Sequence, residues 1–141
     1  MDETTLLVDS DRAVLEVMKQ EIRQKLGYRT LAAASCEEAL RLARGHPVRL
    51  AVIDVDLPDG KGHHLIPALK LIRPALRVIM TSSDYSEETE RVCRACGLVL
   101  YMAKPLDPGL FEAAIRTAWQ SSPALGGTER SALPRMAGGF A

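Results

Sequence analysis

The chain has no excess of either charge: 18 Lys and Arg stand against 18 Asp and Glu, a formal net charge of zero over 141 residues. That balance argues against a basic face for direct nucleic-acid binding and against steering to an anionic membrane. No apolar run approaches the ~20 residues that span a bilayer. Asp2 and Glu3 follow Met1 directly, which is not the pattern of a secretory leader. The expectation is a cytoplasmic protein with no membrane association. Cysteine is scarce and odd in number, at Cys36, Cys93 and Cys96, whereas a stapled secreted fold uses pairs. Cys93 and Cys96 form a lone C-x-x-C with no second pair to complete a zinc site, and His46, His63 and His64 lie in other segments without ligand spacing. The pair falls near a helix end, before Gly97, while the redox motif of thioredoxin type opens a helix. Small core-facing thiols are therefore expected.

What is present is the composition of a globular domain, 47% hydrophobic and 26% charged. At this size one core buries about two-thirds of the unfolded surface. Apolar runs alternate with helical patterns. Thr4 to Val8 reads as a buried strand, and Leu15, Met18, Ile22 and Leu26 stripe a helix that Gly27 can stop in a left-handed conformation. A weaker strand covers Tyr28 to Ala33. Ser35 with Glu38 forms a capping box for a second helix on Ala39, Leu40 and Ala43, ended by Gly45 and Pro47. Leu50 to Ile53 runs into Asp54 with an apolar residue at every step, the mark of a strand covered on both faces. After a Pro- and Gly-rich turn, Leu65, Ile66, Leu69 and Ile72 mark a third helix. Arg77 to Met80 is the fourth strand. Ser86 can cap a fourth helix carrying Val92, Ala95 and Cys96, and Val99 to Ala103 is the fifth strand. Asp107 and Pro108 open a fifth helix striped by Leu110, Phe111, Ala114, Ile115 and Ala118. The pattern predicts a doubly wound α/β domain, a five-stranded parallel sheet with five helices, over residues 1–120. From Ser121 the periodicity stops, and residues 121–141 read as a flexible tail or the start of a linker.

In an open parallel sheet, ligands bind beyond the carboxyl ends of the strands. The first strand ends at Asp9, the third at Asp54, the fourth at Thr81 and Ser82, and the fifth runs into Lys104. Each alone has a plain structural explanation. Together they deliver two carboxylates, a hydroxyl and an ammonium to one end of one sheet. Crowded carboxylates repel unless protonated or bridged by a cation, and oxygen ligands suit Mg²⁺, which favours one or two carboxylates plus phosphate oxygens. A lysine and a hydroxyl facing such a site can stabilise a transferring phosphoryl group, and a central Asp can accept it.

The segments Val8-Asp9-Ser10-Asp11, Ile53-Asp54 through Leu57-Pro58-Asp59-Gly60-Lys61-Gly62, Val78 to Ser82, and Tyr101-Met102-Ala103-Lys104-Pro105 closely resemble the receiver domain of bacterial two-component response regulators. The resemblance covers residues 4–120 in order and spacing, with Pro58 four and Gly62 eight residues after Asp54. It implies a flavodoxin-like fold and a signalling phosphoacceptor that catalyses only its own phosphorylation and dephosphorylation. Asp54 matches the acceptor of a phosphoryl group from a histidine kinase or a phosphorelay histidine protein. Asp9 matches the first of the acidic pair that holds Mg²⁺, with the Asp54 carboxylate and the Asp56 backbone carbonyl as further ligands. Thr81 and Lys104 match the hydroxyl and the lysine that stabilise the phosphate, and Pro105 matches the proline joined to that lysine. Tyr101 matches the aromatic switch that reports phosphorylation to a downstream protein through the face of helix four, strand five and helix five. Asp56 and Ser83 match the positions that tune phosphate lifetime.

One position departs. The family usually has a second acid after the first, and here it is Ser10, a poorer partner for a hard dication. Mg²⁺ affinity is expected to fall, Asp56 is a partial compensation, and Asp11 reads as a helix-start residue. Ser10 keeps alive the alternative of a phosphorylation-impaired receiver acting as a protein-binding module. A phosphohydrolase of the haloacid-dehalogenase kind, suggested by Asp54-Val55-Asp56, is disfavoured because that motif opens its own family's first strand. His63 and His64 are expected to be solvated, and Arg91 and Arg94 to share a mixed-charge face with Glu87, Glu88 and Glu90. Trp119 is suited equally to anchoring a partner and to packing the chain end.

Overall fold

A computed structural model describes residues 3–120. The expectations for 121–141, and for the first two residues of the domain, lie outside the described residues. The strands are β1 (Thr4–Val8), β2 (Arg29–Ala33), β3 (Val48–Asp54), β4 (Arg77–Ser82) and β5 (Leu100–Ala103). The helices are α1 (Arg12–Leu26), α2 (Cys36–Gly45), α3 (Leu65–Ile72), α4 (Glu87–Arg94) and α5 (Pro108–Gln120). All strand pairs in the sheet are parallel, in the order β2-β1-β3-β4-β5. The order reverses between β1 and β3, and that switch point opens the crevice where the sequence puts Asp9 and Asp54.

Why the strands read as unbroken apolar runs is visible in the two cores. Successive side chains point to opposite faces, so Leu6, Val8, Ala51, Ile53, Val78 and Met80 pack on one side of the sheet. Leu7, Leu50, Val52, Ile79, Leu100 and Met102 pack on the other, against Leu15, Met18, Ile22, Phe111 and Ile115 from α1 and α5. Each such side chain contributes about 1.5–3 kcal/mol on burial, so both faces must be covered.

Local signals set the helix ends. Asp11 caps α1, accepting from the Ala13 and Val14 N–H groups, and Gly27 ends it at φ 70°. Ser35 accepts from the Glu38 N–H, while the Glu38 carboxylate reaches back to the Ala34 N–H, one residue earlier than a capping box would have it. Ser86 caps α4 through the Thr89 N–H. In α4 the buried residue is Cys93; Cys96 is half-buried beyond the helix end, and Ala95, expected on the apolar side, is exposed. All three cysteines are free. The turn after β3 contains a small antiparallel hairpin, Asp56–Leu57 with Gly60–Lys61, that periodicity over so few residues could not reveal.

Trp119 packs the chain end. Its Nε1–H donates to Thr5 Oγ1 at 2.8 Å, its ring lies 4.8 Å from that of Tyr28, and the Arg49 guanidinium sits 4.9 Å from its centroid. On α4, Arg91 pairs with Glu88 and Arg94 with Glu90, giving the expected mixed-charge face. Among the described residues, no helix is long and apolar enough to cross a membrane.

Candidate functional site

Backbone bonds past each strand end fix the site. The Asp9 N–H donates to the Ala33 carbonyl, the Val55 N–H to that of Thr81, and the Lys104 N–H to that of Ser82. The ladder therefore continues one residue beyond β1, β3 and β5, and the side chains that follow are aimed by the sheet rather than by loops. Asp9 is 1% exposed and Asp54 7%. Lys104 Nζ lies 2.6 Å from Asp9 Oδ2 and 3.2 Å from Asp54 Oδ2, one ammonium shared by two buried carboxylates. The other oxygen of Asp9 accepts from the Asp11 N–H at 2.9 Å. Thr81, buried, sits beside Asp54 in register on β4.

The electrostatics follow from that geometry. Burial pushes the Asp54 carboxyl above its ordinary value; Lys104 pulls it back down, and the like charge of Asp9 adds to the rise. Burial alone would lower the Lys104 pKa, but the Asp9 hydrogen bond and the charges of Asp54 and Asp9 outweigh it, so the ammonium is held more firmly than usual. Two carboxylates against one ammonium leave one negative charge unbalanced inside the site. The chemistry this suits is the approach of a cation, or of an electrophile that takes electrons from a carboxylate oxygen.

Gly62 explains the spacing of the glycine from Asp54. A Cβ there would stand 2.0 Å from the Asp54 carbonyl oxygen and 2.8 Å from Ile53 Cγ2, so only glycine lets the chain cross behind the site. Its N–H donates to the Val55 carbonyl at 2.6 Å.

A family model for the response regulator receiver domain matches residues 5–116. The chain belongs to that family. The DNA-binding transcriptional regulator NtrC of Azospirillum brasilense is 31% identical over 135 residues, covering 96% of this chain but 27% of NtrC. Sporulation initiation phosphotransferase F of Bacillus subtilis (strain 168) is 27% identical over 107 residues, covering 76% of this chain and 86% of its own length. Among solved structures, a CheY-like response regulator receiver domain protein from Methanospirillum hungatei JF-1 superposes with a TM-score of 0.76 at 29% identity, covering 85% of this chain and 96% of that one. The chain spans about a quarter of NtrC's length, 27%.

Within this receiver domain, the residues singled out by sequence divide into three groups. Asp9, Asp54, Thr81 and Lys104 converge, as described. Tyr101 and Pro105 adjoin them: the Tyr101 ring is buried with its hydroxyl donating to the Asp84 carbonyl at 3.2 Å, and the Lys104–Pro105 peptide is cis. Ser10, Asp56 and Ser83 are exposed at the rim. Asp56 is held by Lys61, 2.6 Å from its Oδ1, across the small hairpin. Among the described residues, no three His, Cys, Asp or Glu side chains form a metal-holding group.

Four residues with local roles escaped the sequence reading. Asp84 accepts from the Ser86 N–H and the Thr89 hydroxyl, and these bonds hold its carboxyl below the usual range. The Tyr85 hydroxyl donates to the Lys104 carbonyl, so the β4–α4 loop is tied to both Tyr101 and the lysine's backbone. Lys61 pairs with Asp56, and Asp59 accepts from the Cys36 and Glu37 N–H groups at 2.8 and 3.0 Å, fastening the hairpin to the start of α2. The Asp84-x-Ser86-x-x-Thr89 spacing was a readable signal; the hairpin contacts, long in sequence separation, had none. His63 differs from expectation. It is half-buried in the turn before α3, and burial lowers its pKa, whereas His64 is exposed.

Proposed function

We propose that this receiver domain is a Mg²⁺-dependent phosphoacceptor in a two-component phosphorelay, taking a phosphoryl group onto Asp54 from a phosphohistidine of a kinase or relay protein. The observation that carries the reading is the single Lys104 ammonium bridging two buried carboxylates. The Asp54 carboxylate oxygen attacks phosphorus in line as the P–N bond to the donor imidazole, already protonated on its other ring nitrogen, breaks; the P–N electron pair stays on the leaving nitrogen, giving an acyl phosphate and a neutral imidazole. Lys104 neutralises charge on the transferred oxygens, and the Thr81 hydroxyl, next to Asp54 in register, donates to one of them. The donor set fits a hard dication: the Asp9 and Asp54 carboxylates and the Asp56 backbone carbonyl are oxygen ligands, and the site carries one uncompensated negative charge. Bound there, Mg²⁺ supplies the further positive charge that phosphoryl transfer needs, and Ser10 makes its hold weaker than a second carboxylate would.

Movement of Thr81 toward the phosphate frees space that Tyr101 can enter, breaking its bond to Asp84 and altering the face of α4, β5 and α5 that a downstream protein reads. Asp56 and Ser83, exposed at the rim, flank the approach of hydrolytic water and set the lifetime of the phosphate. An apolar groove walled by Val14, Val17, Met18, Leu106 and Phe111 opens beside Lys104, with a volume of about 560 Å³, and gives a donor protein a surface to rest on. The balanced charge supports function without direct nucleic-acid contact.

The second reading, a binding module that is not phosphorylated, is favoured by Ser10 alone. Intact mass after incubation with acetyl phosphate, with and without Mg²⁺, separates the two. One phosphoryl adduct that requires Mg²⁺ and disappears in Asp54→Ala supports the phosphoacceptor. No adduct at any Mg²⁺ concentration, with acetyl phosphate or a phosphorylated histidine donor, sinks it.

A further inference from the structure

The carboxylate two residues past the acceptor is already engaged. Asp56 is exposed at the rim of the site, while its backbone N–H faces the Asp54 carboxyl. Its Oδ1 lies 2.6 Å from Lys61 Nζ. The two residues stand directly opposite each other in the small antiparallel hairpin, so backbone pairing puts both side chains on one face. The Lys61 charge is also felt by the Asp84 carboxylate, in the loop between β4 and α4. One ammonium therefore stands between the loops that follow β3 and β4, the strands that carry Asp54 and Thr81.

The fold does not depend on the Asp56–Lys61 pair. Both side chains are more than half exposed, at 58% and 57%, and ion pairs of that kind contribute little to stability. Other bonds close the hairpin and fasten it. Leu57 pairs with Gly60, the Gly62 N–H donates to the Val55 carbonyl, and Asp59 accepts from the Cys36 and Glu37 N–H groups. The pair matters instead for the charge offered to a cation. Asp9, Asp54 and Lys104 leave one negative charge in the site, and position 10 adds only a hydroxyl. A carboxylate at position 56 can add to that donor set, but Lys61 competes with a dication for the same oxygens.

We infer that Lys61 is a positioning residue: it holds the Asp56 carboxylate on the hairpin and so sets how weakly the resting domain takes Mg²⁺. The inference rests on the acceptor-site reading above and adds to it the residue that withholds a ligand. The probe is magnesium chloride alone, titrated calorimetrically into the full chain at constant ionic strength with no phosphodonor. Lys61→Gln should bind Mg²⁺ about fivefold more tightly, partly by loss of a nearby positive charge and partly by release of Asp56. In the Asp56→Asn background the same substitution should gain less than about twofold, because only the screened charge is left to act. Lys61→Arg, which keeps a cation beside Asp56, should stay within about twofold of the parent chain. Equal gains with and without the Asp56 carboxylate would overturn the inference, since Lys61 would then act through solvent alone. An unchanged affinity in Lys61→Gln, or no Mg²⁺ binding by either chain, would do the same. These outcomes are separate from phosphorylation. A chain that forms the Asp54 adduct while its Mg²⁺ affinity ignores Lys61 keeps the phosphoacceptor reading and loses this one.

Discussion

Replacing Lys104 by methionine keeps the length and apolar stem of the side chain and removes its charge. At an effective dielectric of about 20, an ammonium 2.6 Å and 3.2 Å from two carboxylate oxygens gains about 5–6 kcal/mol from each. Much of that is offset by withdrawing Lys104 from water, since its side chain is 17% exposed. Removing one partner of a buried ionic group costs about 3–5 kcal/mol, because the remaining charges stay buried without compensation. We expect the lower end, about 3 kcal/mol at pH 7, for the exposed side of Lys104 already meets solvent. The penalty depends on pH in a definite sense. Asp54 already has a folded pKa above its ordinary 3.8, which means its charged form is disfavoured in the folded state. Loss of Lys104 raises that folded pKa further. A carboxyl with a raised folded pKa costs stability while pH lies above it, and the cost falls away as pH drops through the folded value toward the unfolded one. The deficit of the variant should therefore be largest at neutral pH and shrink as the pH falls toward the ordinary carboxyl value of 3.8. Urea denaturation followed by Trp119 fluorescence at several pH values measures it. A deficit under about 1 kcal/mol, or one constant across that range, would refute the view that Lys104 balances two charged carboxylates.

Gly62→Ala should cost about 3 kcal/mol or prevent folding, because the new Cβ would meet the Asp54 carbonyl oxygen at 2.0 Å; urea midpoints against the parent chain check this. Asp11→Ala should lower stability by about 1 kcal/mol through loss of the α1 cap while leaving the Asp9 bond to the residue-11 backbone N–H intact. Ser10→Asp should tighten Mg²⁺ binding about tenfold by calorimetry, since a carboxylate replaces a hydroxyl beside Asp9; unchanged affinity would mean that position 10 does not reach the ion. Burial, reinforced by the charge of Asp59, pushes the Cys36 thiol up to about 11, so at pH 7.5 its alkylation should be about a hundredfold slower than that of a free cysteine, and Asp59→Asn should recover part of the difference.

The sheet and helices were legible because their signals repeat. Ile53 at the end of the unbroken apolar run Leu50 to Ile53, or Phe111 and Ile115 four residues apart on α5, state their environment many times over. The four converging site residues were legible for another reason: each stands at the carboxyl end of a parallel strand, or directly after it, and parallel strands end on one side of a sheet. Features made by single contacts between distant residues were not legible. Nothing near Asp59 in the chain announces that it caps α2, and nothing near Tyr85 announces that it holds the Lys104 carbonyl. His63 misled because polarity argues for exposure, whereas the short turn of Gly62–His64 packs close behind Asp54 and takes the imidazole part-way in. Trp119 could not be decided in sequence, since an aromatic suits a partner and a core alike; the nearby Thr5 hydroxyl and Arg49 guanidinium settle it as packing.

Ser10 gains its meaning from the geometry around it. With a second acid at that position, three carboxylates would crowd one ammonium, and the site without a cation would be strained by two uncompensated charges. With serine, Lys104 leaves only one, and the resting site is correspondingly easier to keep folded. On the proposed phosphoacceptor reading, a hydroxyl in place of a carboxylate would also weaken the pull on a dication, so metal affinity and resting stability would move in opposite directions through one residue. Ser10→Asp should therefore lower stability without Mg²⁺ while raising Mg²⁺ affinity. Both changes have to appear together. A variant that binds Mg²⁺ more tightly with undiminished stability in its absence would show that position 10 acts on the ion from solvent, outside the charge balance that Asp9, Asp54 and Lys104 set.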